Sequence, residues 1–118
     1  MTTKDLTTAE FTEVTSGEGI VLIDFWAEWC GPCKRFAPVY ERVSEKHPDV
    51  VFAKVDTESE PLLQQEFQIM AIPTLMAIRD GVLVYQQSGA LPESALESLI
   101  TQVKELDMDD VRARATAA

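Results

Sequence analysis

Cations are scarce in this chain: ten Lys and Arg face twenty Asp and Glu over 118 residues, leaving a formal charge of −10. Such a surface repels phosphate backbones and anionic headgroups, which sets nucleic acid and membrane surfaces aside as partners. Long hydrophobic runs are also missing. None reaches the roughly 20 residues that span a bilayer, and the opening Met1-Thr2-Thr3-Lys4-Asp5-Leu6 has no apolar stretch to act as a secretion signal. The expected setting is cytoplasmic, where thiols are kept reduced. Histidine occurs once, at His47, and cysteine twice. With 46% apolar and 25% charged residues the composition is that of one globular domain. A chain of this length buries about two thirds of its unfolded surface without disulfide staples or a metal, so the two cysteines need a reason other than stability. No internal repeat, low-complexity tract or interdomain linker is visible.

The apolar pattern defines the elements. Thr7-Thr8-Ala9-Glu10 has capping-box spacing with Leu6 and Phe11 as a staple, predicting a short helix from Thr8 to near Gly17. Ile20 to Trp26 is an almost unbroken apolar run, suited to a strand buried on both faces, and Asp24 is its exception. Phe36, Val39, Tyr40 and Val43 form a helical stripe after Cys33, with Pro38 expected to kink that helix. Val50 to Val55 predicts a second buried strand, interrupted by Lys54. Ser59 is placed to cap a short helix carrying Pro61, Leu62, Leu63 and Phe67. Thr74–Ile78 and Val82–Tyr85 flank Arg79-Asp80-Gly81 as a hairpin. Leu96, Leu99, Ile100, Val103 and Leu106 mark a last helix starting near Pro92. The tail from Met108 to Ala118 either extends that helix or hangs free. The order implies crossovers between parallel strands followed by an antiparallel edge, hence an α/β fold: a three-layer α/β/α sandwich around a central mixed sheet.

Both cysteines lie in Trp29-Cys30-Gly31-Pro32-Cys33, between the first buried strand and the helix that follows. Their three-residue offset lets the sulfurs close a small disulfide ring, and a helix N-terminus turns positive dipole and free amides toward Cys30, favouring thiolate. Thiolates attack disulfides through a mixed disulfide that a neighbouring thiol resolves. Other readings of the pair are weaker. A structural zinc site wants four ligands, and the chain offers only Cys30, Cys33, His47 at the far end of the same helix, and carboxylates. Covalent haem attachment needs His after the second cysteine, where Lys34 stands. Two inert core cysteines remain a bland alternative, against which Gly31-Pro32 argues for an exposed, stiff turn. Neither Gly17-Glu18-Gly19 nor Ser88-Gly89 approaches a nucleotide fingerprint, so electrons are expected by thiol exchange from a partner protein.

The segment Ile23-Asp24-Phe25-Trp26-Ala27-Glu28-Trp29-Cys30-Gly31-Pro32-Cys33-Lys34 resembles the active-site segment of the thioredoxin family, and Ala71-Ile72-Pro73-Thr74-Leu75 resembles that family's cis-proline loop. The similarity runs from about Leu6 to Leu106, giving a domain over 1–107 and a tail over 108–118. The resemblance implies an additional edge strand at Thr2–Leu6, where only Leu6 is apolar. It also implies a general protein disulfide reductase, cycling Cys30 and Cys33 between dithiol and disulfide. The chain would act as a monomer on diverse disulfide-containing proteins. It would hold no cofactor or metal and be re-reduced by thioredoxin reductase, whose own FAD and NADPH supply the electrons.

Residue roles follow from position and resemblance together. Cys30, first at the helix N-terminus, is the expected nucleophile, and Cys33, a turn inside and differently exposed, the resolving thiol. Burial raises the pKa of Asp24, and the resemblance implies that Asp24 takes the proton of Cys33 through water. Lys54, on a neighbouring strand, is implied to tune Asp24, or else to reach water as a strand-end lysine. Gly31 and Pro32 tune the acidity of the cysteine pair by the same resemblance. A cis Ile72-Pro73 bond would bring its loop against Cys30 and let the Ile72 backbone pair with an extended substrate. Trp29, Ile72, Pro73, Gly89 and Ala90 then form the substrate rim, Ala71 in place of the family's frequent glycine narrows the groove, and Trp26 packs inside. An oxidase or isomerase on the same fold, and a binding module without redox turnover, are the competing readings.

Overall fold

The computed structural model describes residues 2–117, so Met1 and Ala118, the outermost residues of the opening segment and the tail, lie outside the described residues. Ten elements follow in order: β1 (Thr3–Asp5), α1 (Phe11–Thr15), β2 (Ile20–Trp26), α2 (Gly31–Ser44), β3 (Val50–Asp56), α3 (Pro61–Glu66), β4 (Thr74–Arg79), β5 (Val82–Ser88), α4 (Glu93–Lys104) and α5 (Met108–Ala117). The strands form one mixed sheet in the order β1-β3-β2-β4-β5. β1, β3 and β2 run parallel to one another, and β4 runs antiparallel to both of its neighbours, β2 and β5. β2 is central, and every one of its residues but Trp26 is buried, which explains its unbroken apolar run.

Side-chain alternation along the strands sorts the core into two layers. Leu22, Phe52, Leu75 and Ala77 face Phe36, Tyr40 and Val43 of α2 and Leu96, Ile100 and Val103 of α4. Ile23, Phe25, Ala53 and Val55 face the opposite side, covered by Leu63 and Ile69 with Phe11 and Val14 of α1. This is the three-layer sandwich. Asp24 and Lys54 share the α2-side parity of Leu22 and Phe52, so two charged residues point into the layer that α2 covers.

β1 forms the edge implied by the resemblance, although three residues long and polar. Its start is held by hydrogen bonds rather than by burial: Thr3 Oγ1 donates to Glu41 Oε2 at 2.6 Å, and the backbone amide of the preceding Thr2 to Glu41 Oε1 at 2.9 Å. The β4–β5 turn is Asp80-Gly81, with φ of +53° and +81°, the left-handed pair that a two-residue hairpin requires. α2 runs as one 14-residue helix through Pro38.

Three expectations are corrected. The Thr7–Glu10 box closes, with Thr7 Oγ1 donating to Glu10 Oε1 at 3.0 Å, yet it fixes a turn and α1 starts only at Phe11. Ser59 does not cap α3: its hydroxyl donates to Asp56 Oδ2 at 3.2 Å, and the cap position is Glu60, whose carboxylate is taken by Thr8. After α4 the chain breaks at Glu105–Asp107, and the tail forms a separate helix. Asp107 Oδ1 accepts from the amides of Asp109 and Asp110, while Met108 is buried and Arg112 pairs with Asp80 at 3.5 Å.

Candidate active site

The turn after β2 delivers Cys30 to the first position of α2. Cys30 is extended (φ −89°, ψ 110°) and caps the helix, its Sγ accepting the Cys33 amide at 3.1 Å. Pro32, lacking an amide hydrogen, sits in the first turn, where that hydrogen would have no helical acceptor. Cys30 and Cys33 are joined as a disulfide, the only one among the described residues. The expected difference in exposure is absent: Cys30 is 4% and Cys33 3% accessible. With the sulfurs bonded, both pack with Ala27 against Trp26 and Ile72. What distinguishes them is the backbone, because Cys30 Sγ alone takes a helix N-terminal amide, a contact that favours negative charge on that sulfur.

The Ile72-Pro73 peptide is cis. Its loop brings the Ile72 carbonyl oxygen to 3.7 Å from Cys30 Sγ. Thr74 Oγ1 donates to the Ala71 carbonyl at 2.5 Å, and the Gly89 amide to the Pro73 carbonyl at 2.8 Å, so Gly89 and Ala90 stand beside the loop. Gly89 has φ +109°, a conformation suited to glycine. Trp29 is 70% exposed, and its indole donates to Glu58 Oε1 at 2.6 Å. Of the residues expected at the rim, Ile72 packs on the disulfide, and Gly89 is tied to the cis-proline loop through Pro73.

Beneath it, Asp24 is 1% exposed and neither carboxylate oxygen has a hydrogen-bond partner. Burial pushes its pKa up to about 7, with the Lys54 charge pulling the other way. A cavity of about 270 Å³ is lined by Asp24 and Cys33 together with Trp26, Glu28, Lys34 and Lys54. Lys54 makes no ion pair with Asp24, and its Nζ lies 5.0 Å from the Trp26 ring centroid. Tyr40, on the same side, donates to the Ala53 carbonyl at 2.8 Å, and burial followed by the Asp24 charge raises its pKa.

Sequence reasoning passed over Glu58, Glu28 and Met70. Glu58 shows no pattern beyond its acidity, and Glu28 becomes relevant only through the cavity. Met70 belongs to neither a helical nor a strand pattern, and that isolation was its one visible signal. No group of three or more His, Cys, Asp and Glu gathers to hold a metal among the described residues. No helix there is long and apolar enough to cross a membrane.

Two thiols at a helix N-terminus that close into a shared S–S bond can move two electrons and two protons to another disulfide. The fold and this pair define a thiol–disulfide oxidoreductase acting on protein disulfides. The sequence profile of the family described as thioredoxin matches residues 2–102. A Streptomyces coelicolor protein provisionally named thioredoxin 2 is 56% identical over 110 residues, covering 93% of this chain and 82% of its own. The Alicyclobacillus acidocaldarius thioredoxin is 42% identical, over 86% of this chain and 97% of its own. The solved structure of Plasmodium falciparum thioredoxin superposes with a TM-score of 0.78 at 40% identity, over 84% of this chain and 97% of its own. This chain belongs to the thioredoxin family.

Proposed function

We propose that the protein is a general disulfide reductase of the cytoplasm, re-reduced by a flavoprotein thioredoxin reductase that carries its own FAD and draws on NADPH. The observation that carries this reading is the Cys30–Cys33 pair, with Cys30 Sγ accepting a helix amide beneath the Ile72-Pro73 loop. Gly31-Pro32 between the cysteines and relatives named as thioredoxins support the reducing direction over an oxidase or isomerase.

In the reduced protein the Cys30 thiolate attacks one sulfur of a substrate disulfide. That S–S bond breaks, one substrate sulfur leaves as a thiolate, and a Cys30–substrate disulfide forms. Asp24 then accepts the proton of Cys33 through water in the 270 Å³ cavity that both line. The Cys33 thiolate attacks Cys30 Sγ, the second substrate sulfur leaves, and the internal disulfide closes. Lys54 tunes Asp24 by its positive charge. Gly31 and Pro32 stiffen the turn that presents Cys30 Sγ to the helix amides. Trp29, Ile72, Pro73, Gly89 and Ala90 hold the substrate chain, the Ile72 carbonyl serving as a backbone acceptor. The cycle is that of a monomer without bound cofactor or metal, and it resides in residues 1–107.

The test is NADPH-coupled reduction of a protein disulfide by this chain with a thioredoxin reductase. Turnover in the wild type that disappears in Cys30→Ser supports the cycle. No turnover with both thiols intact overturns it.

A further inference from the structure

Met70 is 95% exposed, the most exposed large apolar side chain among the described residues, while Met76 and Met108 are buried. Its exposure is built into the loop between α3 and β4. Gln68 at φ +53° turns the chain so that Ile69 enters the core and Met70 faces solvent. The backbone leading into it is anchored: the Ile69 amide donates to the Gln64 carbonyl at 2.9 Å, and Gln86 Nε2 to the Phe67 carbonyl at 2.9 Å. Met70 stands as a fixed ridge between two grooves. One, of about 330 Å³, is lined by Trp29, Thr57, Gln64 and Ile72 and so adjoins the disulfide rim. The other, of about 310 Å³, runs along Thr74, Gln86, Gln87 and Ser88 toward the free edge of β5.

A thioether is flexible, apolar and oxidisable, and its sulfoxide is polar and chiral. A polypeptide lying across Cys30 and paired to the Ile72 backbone passes this ridge. A small disulfide that touches only the sulfurs does not. We propose that Met70 is a modification site, at which oxidation by peroxide restricts polypeptide substrates while leaving the sulfur chemistry of Cys30 and Cys33 intact. This rests on the disulfide-reductase reading. In the step, the Met70 sulfur gives two electrons to the peroxide and the O–O bond breaks. One oxygen forms the S=O bond and the other leaves as water. The Cys30–Cys33 disulfide lacks a thiol and is spared during exposure.

The test holds the full chain in its disulfide form, treats it with hydrogen peroxide, removes the oxidant and maps oxygen addition by peptide mass spectrometry. Reduction of insulin and of bis(2-hydroxyethyl) disulfide is then compared with thioredoxin reductase and NADPH. The expected result is oxidation at Met70 ahead of Met76 and Met108. kcat/KM for insulin falls about fourfold, the cost of losing roughly one buried methyl of contact, while the small disulfide is reduced as before. A methionine sulfoxide reductase restores the rate. Met70→Leu, normalised to its own untreated rate, loses nothing on treatment. Oxidation of Met70 with insulin reduction unchanged overturns the proposal, as does an equal fall for both substrates or an equal fall in Met70→Leu. Untreated protein that reduces neither substrate overturns the reductase reading and the proposal with it, a failure recognisable before any peroxide is added.

Discussion

Asp24 and Lys54 are register partners on adjacent parallel strands, on the same face of the sheet, yet they do not close an ion pair. The buried carboxylate is left without a hydrogen-bond partner. Burial raises its pKa from 3.8 to about 7, so the native state binds a proton that the unfolded state has released between those two values. Stability therefore falls as pH rises from about 4 to 7, and the cost is fully present above about 7. A shift of that size corresponds to roughly 4 kcal/mol as an upper bound. Asp24→Asn is expected to gain about 2–4 kcal/mol at pH 8 and nothing near pH 4, where the wild-type carboxyl is already neutral. Urea unfolding at both pH values checks this, and an equal gain at both would show that titration is not its source.

The same carboxyl sets the expected pH dependence of resolution. If Asp24 receives the Cys33 proton, closure of the internal disulfide accelerates as Asp24 ionises, around pH 7. Asp24→Asn should slow that step and remove the titration. Lys54→Met removes a charge that lowers the Asp24 pKa, so the inflection should move to higher pH. Stopped-flow measurement of mixed-disulfide decay across pH reads both. Profiles that coincide in wild type and Asp24→Asn would leave that residue no part in proton transfer.

The near-equal burial of Cys30 and Cys33 means that exposure does not decide which sulfur attacks. The proposed order rests instead on the helix amide that Cys30 Sγ accepts. Cys33→Ser should accumulate a covalent adduct with a protein disulfide, because attack proceeds and resolution cannot. Cys30→Ser should form none and lose turnover. Intact-mass spectrometry distinguishes them, and an adduct on Cys33 of the Cys30→Ser protein at comparable rate would reverse the order.

Legibility in the sequence tracked burial. β2 was readable because it is buried on both faces, which demands a continuous apolar run, and β3 because most of its apolar residues are buried, although Val51 is exposed; the two charged exceptions, Asp24 and Lys54, are cavity residues. Asp80-Gly81 was readable because a two-residue hairpin needs left-handed backbone at both positions. β1 had no such signature, since its contacts are hydrogen bonds from Thr2 and Thr3 to Glu41, 38 or more residues away. Ser59 misled because capping is a competition: Asp56 took its hydroxyl. At the site, the cysteines and the proline were visible as motifs. The Trp29–Glu58 bond and the ridge at Met70 depend on which loops the fold brings together, and no local pattern encodes that.

Arg79 offers a test of how the far end of the fold is held. It ends β4, and its Nη1 reaches three carbonyls at the close of α4: Val103 at 2.8 Å, Lys104 at 3.1 Å and Leu106 at 2.8 Å. The last carbonyls of a helix have no partners within it, and a guanidinium there meets both their lone pairs and the negative end of the dipole. The neighbouring Asp80 accepts the Gly19 amide at 2.8 Å and pairs with Arg112 of α5, so the hairpin turn links β2, α4 and α5. Arg79→Met keeps much of the side chain's volume and removes the donors. It should cost about 1.5–3 kcal/mol of stability, the range for hydrogen bonds from a charged group. The disulfide lies at the opposite end of β2, so the rate per folded molecule should stay at the wild-type value. Denaturant midpoints with turnover on the same samples separate these effects. A loss below half a kcal/mol would show that α4 ends without need of the arginine.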